Sequence, residues 1–144
     1  MIIKQSDTFT QKLFVFDLTL NWTLGLVLVF FPEIINRLIF KTPVFGSLFY
    51  ITLGVLFLFF AFWQTVVHLI KRVFRPFNLT FAAVMAIIPI ILLTQALFSF
   101  HPLIRSLTLM LLWLGNIYMT FLTAWYLYAI FLFSYQNRRT KGRG

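Results

Sequence analysis

The stretch Leu53-Gly-Val-Leu-Phe-Leu-Phe-Phe60 decides the fold class, because it is a continuous apolar run with no alternation of polar and apolar residues. A strand that crosses a membrane alternates apolar and polar residues, whereas a helix in lipid can be apolar on all sides. The stretch lies inside a longer segment, 47–67, that contains no Lys, Arg, Asp, Glu or His. Since about 20 helical residues cross a hydrocarbon core roughly 30 Å thick, this segment predicts a transmembrane helix.

Three other segments are similarly long and apolar, so the sequence predicts an all-α integral membrane protein. The four predicted transmembrane helices cover residues 13–31, 47–67, 79–98 and 107–133. Of the 144 residues, 61% are hydrophobic and only 10% are charged, whereas soluble domains average roughly 25% charged residues. We expect one membrane domain, residues 1–144, folded as two antiparallel hairpins.

The first loop contains a predicted short amphipathic helix over residues 32–42. Pro32 suits the first position of a helix, and Pro43 ends the helical run. Charged residues recur at every fourth position, while aliphatic residues fill the opposite face. The charged residues are Glu33, Arg37 and Lys41, and the aliphatic residues are Ile34, Ile35, Leu38 and Ile39. This pattern is typical of a helix that lies in the outer membrane interface.

The basic residues, which give a formal net charge of +9, are unequally distributed between the two predicted sides. One side carries Lys4, Lys12, Lys71, Arg72, Arg75, Arg138, Arg139, Lys141 and Arg143, and the other carries Arg37, Lys41 and Arg105. The positive-inside rule predicts that both termini are cytoplasmic, in a plasma (inner) membrane. We expect the basic tail, residues 136–144, to bind anionic lipid headgroups, at about 1 kcal/mol for each basic residue, and we expect no nucleic-acid partner.

Polar residues recur at helical spacing within the first and fourth predicted transmembrane helices. Each set lies on one helical face, and a buried amide in lipid seeks a partner, so we expect the two stripes to turn toward each other. Interhelical hydrogen bonding and a substrate path both explain the stripes, and both interpretations stay open. Gln64 and Gln95 would lie nearer the mouths of such a path. The candidate residues are Asp17, Asn21, Gln64, Gln95, Asn116, Thr120 and Thr123.

A second candidate site lies at the cytoplasmic end of the second predicted helix. Gln64, His68 and Arg72 recur at four-residue spacing, with Arg75 close behind. His68, Arg72 and Arg75 are therefore candidate contacts for a lipid headgroup, with an arginine as the partner of an anion. A solvated helix end explains the same residues without a ligand.

The sequence offers few groups for catalysis or for a cofactor. Cysteine is absent and the acidic residues are Asp7, Asp17 and Glu33. His68 and His101 lie at opposite ends of the predicted bundle, where they cannot ligate one haem. We therefore predict no metal, no cofactor and no enzymatic activity.

The expected function is that of a structural or accessory subunit of a membrane complex or homo-oligomer, with membrane lipids as partners. The alternative is a small oligomeric transporter or channel for a polar or lipid-like substrate.

Overall fold

The computed structural model describes residues 2–71 and 76–142, the side chains of residues 2–7 excepted. In these ranges the helices are α1 (Ile2–Phe30), α2 (Pro32–Ile39), α3 (Ser47–Leu69), α4 (Pro76–Ser99) and α5 (Ser106–Lys141). A 3-10 turn, His101–Leu103, joins α4 to α5. The prediction of an all-helical chain is confirmed for the described residues.

Four of the helices are long and apolar enough to cross a membrane: the segment Thr8–Phe30 of α1, α3, α4 and α5. At 1.5 Å per residue, the 23 residues of Thr8–Phe30 extend about 35 Å, which exceeds a hydrocarbon core of roughly 30 Å. The 36 residues of α5 extend about 54 Å. These candidate spans indicate a membrane protein.

The observed helices extend beyond the predicted ones. α1 begins before residue 13, and α5 continues through the basic segment to Lys141 instead of ending near residue 133. The prediction placed helix ends where the apolar runs end. Lys, Arg and Gln are good helix formers, so a helix continues through them once the preceding turns are in place.

The helices α1 and α3 pack closely where two glycines face each other. A Cβ atom added to Gly54 would lie 2.9 Å from the Gly25 carbonyl oxygen, and one added to Gly25 would lie 3.1 Å from the Gly54 carbonyl oxygen. Glycine is needed on both helices for this approach. On the same pair, the Trp22 indole donates a 2.9 Å hydrogen bond to Thr65 Oγ1.

The helices α4 and α5 form the other close pair, and α4 presents small residues in its N-terminal half. Ala82, Ala83 and Ala86 are almost fully buried and belong to one apolar core with Leu122 and Tyr126 of α5. Small side chains let two helix backbones approach each other. Farther along, α4 continues as a helix through Pro89.

This apolar core also joins the two helix pairs at one end of the bundle, because all four long helices contribute to it. Its buried residues are Leu13 and Phe14 from α1, Val67 from α3, Leu79, Ala82, Ala83 and Ala86 from α4, and Leu122, Tyr126 and Ala129 from α5. We call this set the end core.

At the opposite end, backbone hydrogen bonds join the end of α2 and the residue after Phe40 to the residues just before α5. The Lys41 amide donates to the Leu103 carbonyl at 2.8 Å, and the Arg105 amide donates to the Ile39 carbonyl at 3.0 Å. Phe40 and Ile104 lie between these bonds as an isolated antiparallel bridge. We call this connection the clasp. It connects the two helix pairs where the end core does not reach.

The predicted amphipathic helix is present, but it ends at Ile39 and its buried side chain is polar. Phe40 leaves the helix in an extended conformation, with φ −107° and ψ 145°, because it takes part in the clasp. Within α2 the buried residue is Asn36. Ile34 and Leu38, predicted for an apolar face, are more than half exposed.

Alanine substitutions at Gly54 and Gly115 test whether glycine is needed for the close approach of α1 and α3. We expect Gly54→Ala to lower the free energy of unfolding by about 1–3 kcal/mol, because its Cβ would overpack the α1–α3 contact. Gly115→Ala is the matched control, since its Cβ would meet only Leu93 Cδ1, at 3.9 Å. Alanine there should be neutral or stabilising by up to about 1 kcal/mol. Denaturant unfolding in lipid nanodiscs measures both, and equal effects would contradict the close approach.

Candidate functional site

Gln64 of α3 lies at the centre of a buried polar network that joins α3 to α1. Its Nε2 donates a 2.8 Å hydrogen bond to Asp17 Oδ2, and its Oε1 accepts a 2.8 Å bond from Asn21 Nδ2. Gln64 is fully buried, and Asp17 and Asn21 are each 3% exposed. One amide therefore satisfies two polar side chains that are costly to bury without partners.

The local geometry explains why these residue types meet. Asp17 and Asn21 are four residues apart on α1, so they lie one above the other on the same helical face. A glutamine offers one donor end and one acceptor end, and Gln64 turns its donor to the carboxylate and its acceptor to the Asn21 amide. The sequence named Gln64 as a candidate residue nearer the mouth of a path, and the structure adds its hydrogen bonds to Asp17 and Asn21.

Two tyrosines of α5 lie close to the Asp17 carboxylate. Tyr118 and Tyr126 both interact electrostatically with Asp17, although among the described residues neither hydroxyl oxygen meets the geometry of a hydrogen bond. Their rings pack edge-on against α1, with 5.8 Å between the centroids of Phe16 and Tyr118 and 6.4 Å between those of Phe14 and Tyr126. The surroundings of Asp17 thus combine an amide with phenols.

The polar stripe of α5 pairs within its own helix pair. Asn116 Nδ2 donates a 3.1 Å hydrogen bond to Thr94 Oγ1 of α4. The hydroxyls of Thr120 and Thr123 donate to the carbonyls of Asn116 and Met119, at 2.8 Å and 2.9 Å. The stripes on α1 and α5 therefore form their hydrogen bonds with different helices rather than with each other.

The remaining candidate residues do not join the network. Gln95 is exposed on α4, and His68 is exposed near the end of α3. Arg72 and Arg75 lie outside the described residues. The headgroup contact proposed for His68, Arg72 and Arg75 thus stays a prediction.

A second buried amide, Asn36 of α2, was missed in the sequence. Its Nδ2 donates a 2.7 Å hydrogen bond to the Phe45 carbonyl, and its Oδ1 accepts a 2.9 Å bond from the Tyr50 hydroxyl. It thereby fixes the loop between α2 and α3. A single amide beside four aliphatic residues was the available signal, but the sequence pattern assigned Asn36 to neither face of the helix.

Between the two helix pairs lies a cleft of about 370 Å³ that we call the central cleft. Asp17, Asn21 and Tyr118 form its polar end, and the rest of its wall is apolar. All four long helices contribute apolar residues: Leu20, Leu24 and Leu28 from α1, Leu53 and Phe57 from α3, Pro89, Leu92 and Leu93 from α4, and Leu111, Leu112, Gly115 and Met119 from α5. This volume is within the roughly 300–1,000 Å³ typical of small-molecule sites.

The central cleft continues toward the clasp. A neighbouring cavity of about 380 Å³ shares Leu53, Leu92, Leu93 and Leu112 with it and ends among Phe45, Tyr50 and Phe100. In the described ranges, no three His, Cys, Asp or Glu side chains come together as a metal site. The arrangement offers a carboxylate and an amide at one end of an apolar space, which suits binding of an amphipathic molecule.

No family model, no curated protein and no solved structure matches this chain. The candidate site is therefore interpreted from its own geometry.

Replacing Gln64 should reveal how strongly the network stabilises the fold. We expect Gln64→Leu to reduce the free energy of unfolding by about 1–3 kcal/mol, because it leaves Asp17 and Asn21 buried without this partner. Gln95→Leu, at an exposed position on α4, is the control and should change stability by no more than about 0.5 kcal/mol. Both are measured by denaturant unfolding in nanodiscs. A Gln64 variant as stable as the Gln95 variant would show that the network contributes little.

Proposed function

We propose that this chain crosses the bilayer as two antiparallel hairpins, α1 with α3 and α4 with α5. The order of contacts within the first pair supports this arrangement: Gly25 meets Gly54, whereas Asn21, earlier on α1, meets Gln64, later on α3. In the second pair, Asn116 in the first third of α5 meets Thr94 near the end of α4. The excess of basic residues on one side supports cytoplasmic termini in a plasma (inner) membrane.

In this arrangement α2 lies in the outer interface. The exposed aliphatic side chains of Ile34 and Leu38, together with exposed Phe30 and Phe31, then face lipid, and Asn36 turns inward. A helix with apolar residues toward the acyl chains and cations nearer the headgroups is typical of this position.

We further propose that the protein is a non-enzymatic structural or accessory component, which packs through α5 against a second copy or a larger membrane complex. The observation that carries this proposal is a seam of exposed residues on α5, spaced alternately by four and three. The seam consists of Met110, Leu114, Ile117, Phe121, Ala124, Tyr128, Phe131 and Tyr135.

A repeat of four and three residues averages 3.5, which is the period that keeps one helix face against a partner helix. Lipid is as apolar as leucine, so helices in a membrane associate through close packing rather than through hydrophobic burial. Of the four candidate spans, α5 has the smallest buried share of its apolar segment, 11% against 22–39% for the others. It therefore has the most surface left for a partner.

The alternative, a small oligomeric transporter or channel for a polar or lipid-like substrate, has support from the central cleft with Asp17 and Asn21 in its wall. The other candidate residues give this alternative less support. Asn116 and Thr120 line a separate cavity with Trp113 and Ile117, and Gln95 lines the cavity near the clasp. A single path through all of these residues would require the cavity at Asn116 and Thr120 to join the central cleft.

Photo-crosslinking in native membranes tests the seam. A photoreactive amino acid at Ile117 should form a protein–protein crosslink of defined mass, because this position faces the proposed partner helix. The matched control is Ile91, an equally aliphatic position on α4 with similar exposure, 59% against 64%, which should crosslink to lipid alone. Mass spectrometry identifies the products. Lipid adducts at both positions would contradict an accessory role through α5.

The proposed topology is accessible to cysteine labelling, since the natural chain contains no cysteine. In intact cells a membrane-impermeant maleimide should label Ser99→Cys and should not label Gly142→Cys. After permeabilisation, Gly142→Cys should be labelled to the same extent. Labelling of Gly142→Cys in intact cells would place the C-terminus outside.

A further inference from the structure

The central cleft is apolar everywhere except at one end. Its leucine, phenylalanine and methionine side chains come from α1, α3, α4 and α5, so a ligand within it would contact both helix pairs. Leu24, Leu92 and Leu111 line the cleft and are also about half exposed. The cleft therefore opens to the protein surface, and an apolar molecule dissolved in the bilayer can enter it from the side.

The polar end carries a carboxylate whose identified protein partners are neutral. Asp17 accepts from the Gln64 amide and lies near the phenols of Tyr118 and Tyr126. An ionised carboxylate only accepts hydrogen bonds, and a charge in an apolar span is costly unless it is paired. This end of the cleft therefore favours a group that donates hydrogen bonds and carries positive charge.

We propose that the central cleft binds a lipophilic cation, a molecule with a linear or ring-shaped apolar body and an ammonium head. The body lies among the leucines between the two helix pairs. The ammonium donates to the Asp17 carboxylate and lies near the Tyr118 ring. This site adds a ligand to the accessory role and does not depend on it.

Charge and aromatic content distinguish this ligand from others of similar shape. A fatty acid would bring a second carboxylate next to that of Asp17, and two neighbouring negative charges repel each other. A long-chain alcohol would fit the apolar wall, but its hydroxyl forms a weaker bond to a carboxylate than an ammonium does. Aromatic faces also attract cations, and the Tyr118 side chain lines the same end.

Three ligands with the same chain and different heads test the proposal: dodecylammonium, dodecanol and dodecanoate. Saturable binding of radiolabelled dodecylammonium is measured on the protein in phosphatidylcholine nanodiscs, with nanodiscs without protein as the blank. The unlabelled alcohol and acid then compete with it. We expect dodecylammonium to bind at least about tenfold more tightly than dodecanol, and dodecanoate to bind more weakly than both.

Asp17→Asn separates charge from shape, because an asparagine oxygen can still accept from Gln64. We expect this variant to bind dodecylammonium about as weakly as dodecanol, while its affinity for dodecanol stays the same. A thermal unfolding curve of each variant in nanodiscs accompanies the binding measurement. If Asp17→Asn weakened all three ligands by the same factor, or if dodecanol bound as tightly as the ammonium, the assigned head contact would be wrong.

Gly115→Leu tests the location of the site and does not alter its charge. A Cβ at Gly115 would have only Leu93 Cδ1 within 4 Å, at 3.9 Å, so a leucine can extend into the cleft and displace the apolar body. We expect this variant to lose saturable binding of both dodecylammonium and dodecanol. Val84→Phe adds bulk at an exposed position of α4 that lies outside both the cleft and the seam and should leave binding unchanged. Unchanged binding in Gly115→Leu, or no saturable binding to the natural protein, would overturn the proposal.

Discussion

A polar side chain inside an apolar bundle has to find its hydrogen-bond partner within the bundle, and Gln64 meets this requirement for α1. Its two bonds are both 2.8 Å long, and they fix how far along α3 the carboxylate of Asp17 and the amide of Asn21 can lie. Sliding α1 by one residue, about 1.5 Å, would move both groups relative to the Gln64 amide and weaken the two bonds. The close approach of Gly25 and Gly54 lies farther along the same pair and requires the same register. The network and the glycines therefore specify one position of α1 on α3.

The two helix pairs are held together by different physical means at their two ends. At the end core, aliphatic and aromatic side chains of four helices pack together. At the clasp, backbone amides and carbonyls on both sides of Phe40 and Ile104 form hydrogen bonds. Between these ends the pairs have few direct contacts, and the central cleft occupies the space that remains. The cleft is thus a consequence of joining two separately well-packed pairs at their ends.

Hydropathy predicted the number of long helices because the four apolar runs are long and separated by polar or basic segments. It did not predict helix ends, since Lys, Arg and Gln continue α5 to Lys141. Periodicity assigned Asp17 and Asn21 to one face, but a period identifies a face and not its partner. The partner proved to be Gln64 rather than Asn116, a difference that depends on how the helices pack.

Two features were present in the sequence and still could not be recognised there. Asn36 lies among aliphatic residues, and only the path of the chain through Phe45 and Tyr50 shows that its amide turns inward. The seam on α5 repeats by four and three residues, but almost every residue around it is also apolar. The packing of α5 against α4 and in the end core determines which of its apolar faces stays exposed, and the sequence alone does not show this packing.

The continuity of α5 has a mechanical consequence. The helix is uninterrupted from Ser106 to Lys141, so Gly115 in the wall of the cleft and the basic residues at its far end belong to one continuous rod. From Gly115 to Lys141 this rod measures about 39 Å. A small change of tilt where the rod borders the cleft becomes a much larger sideways displacement at Lys141. The position of the basic residues near Lys141 therefore depends on the angle at which α5 packs beside the cleft.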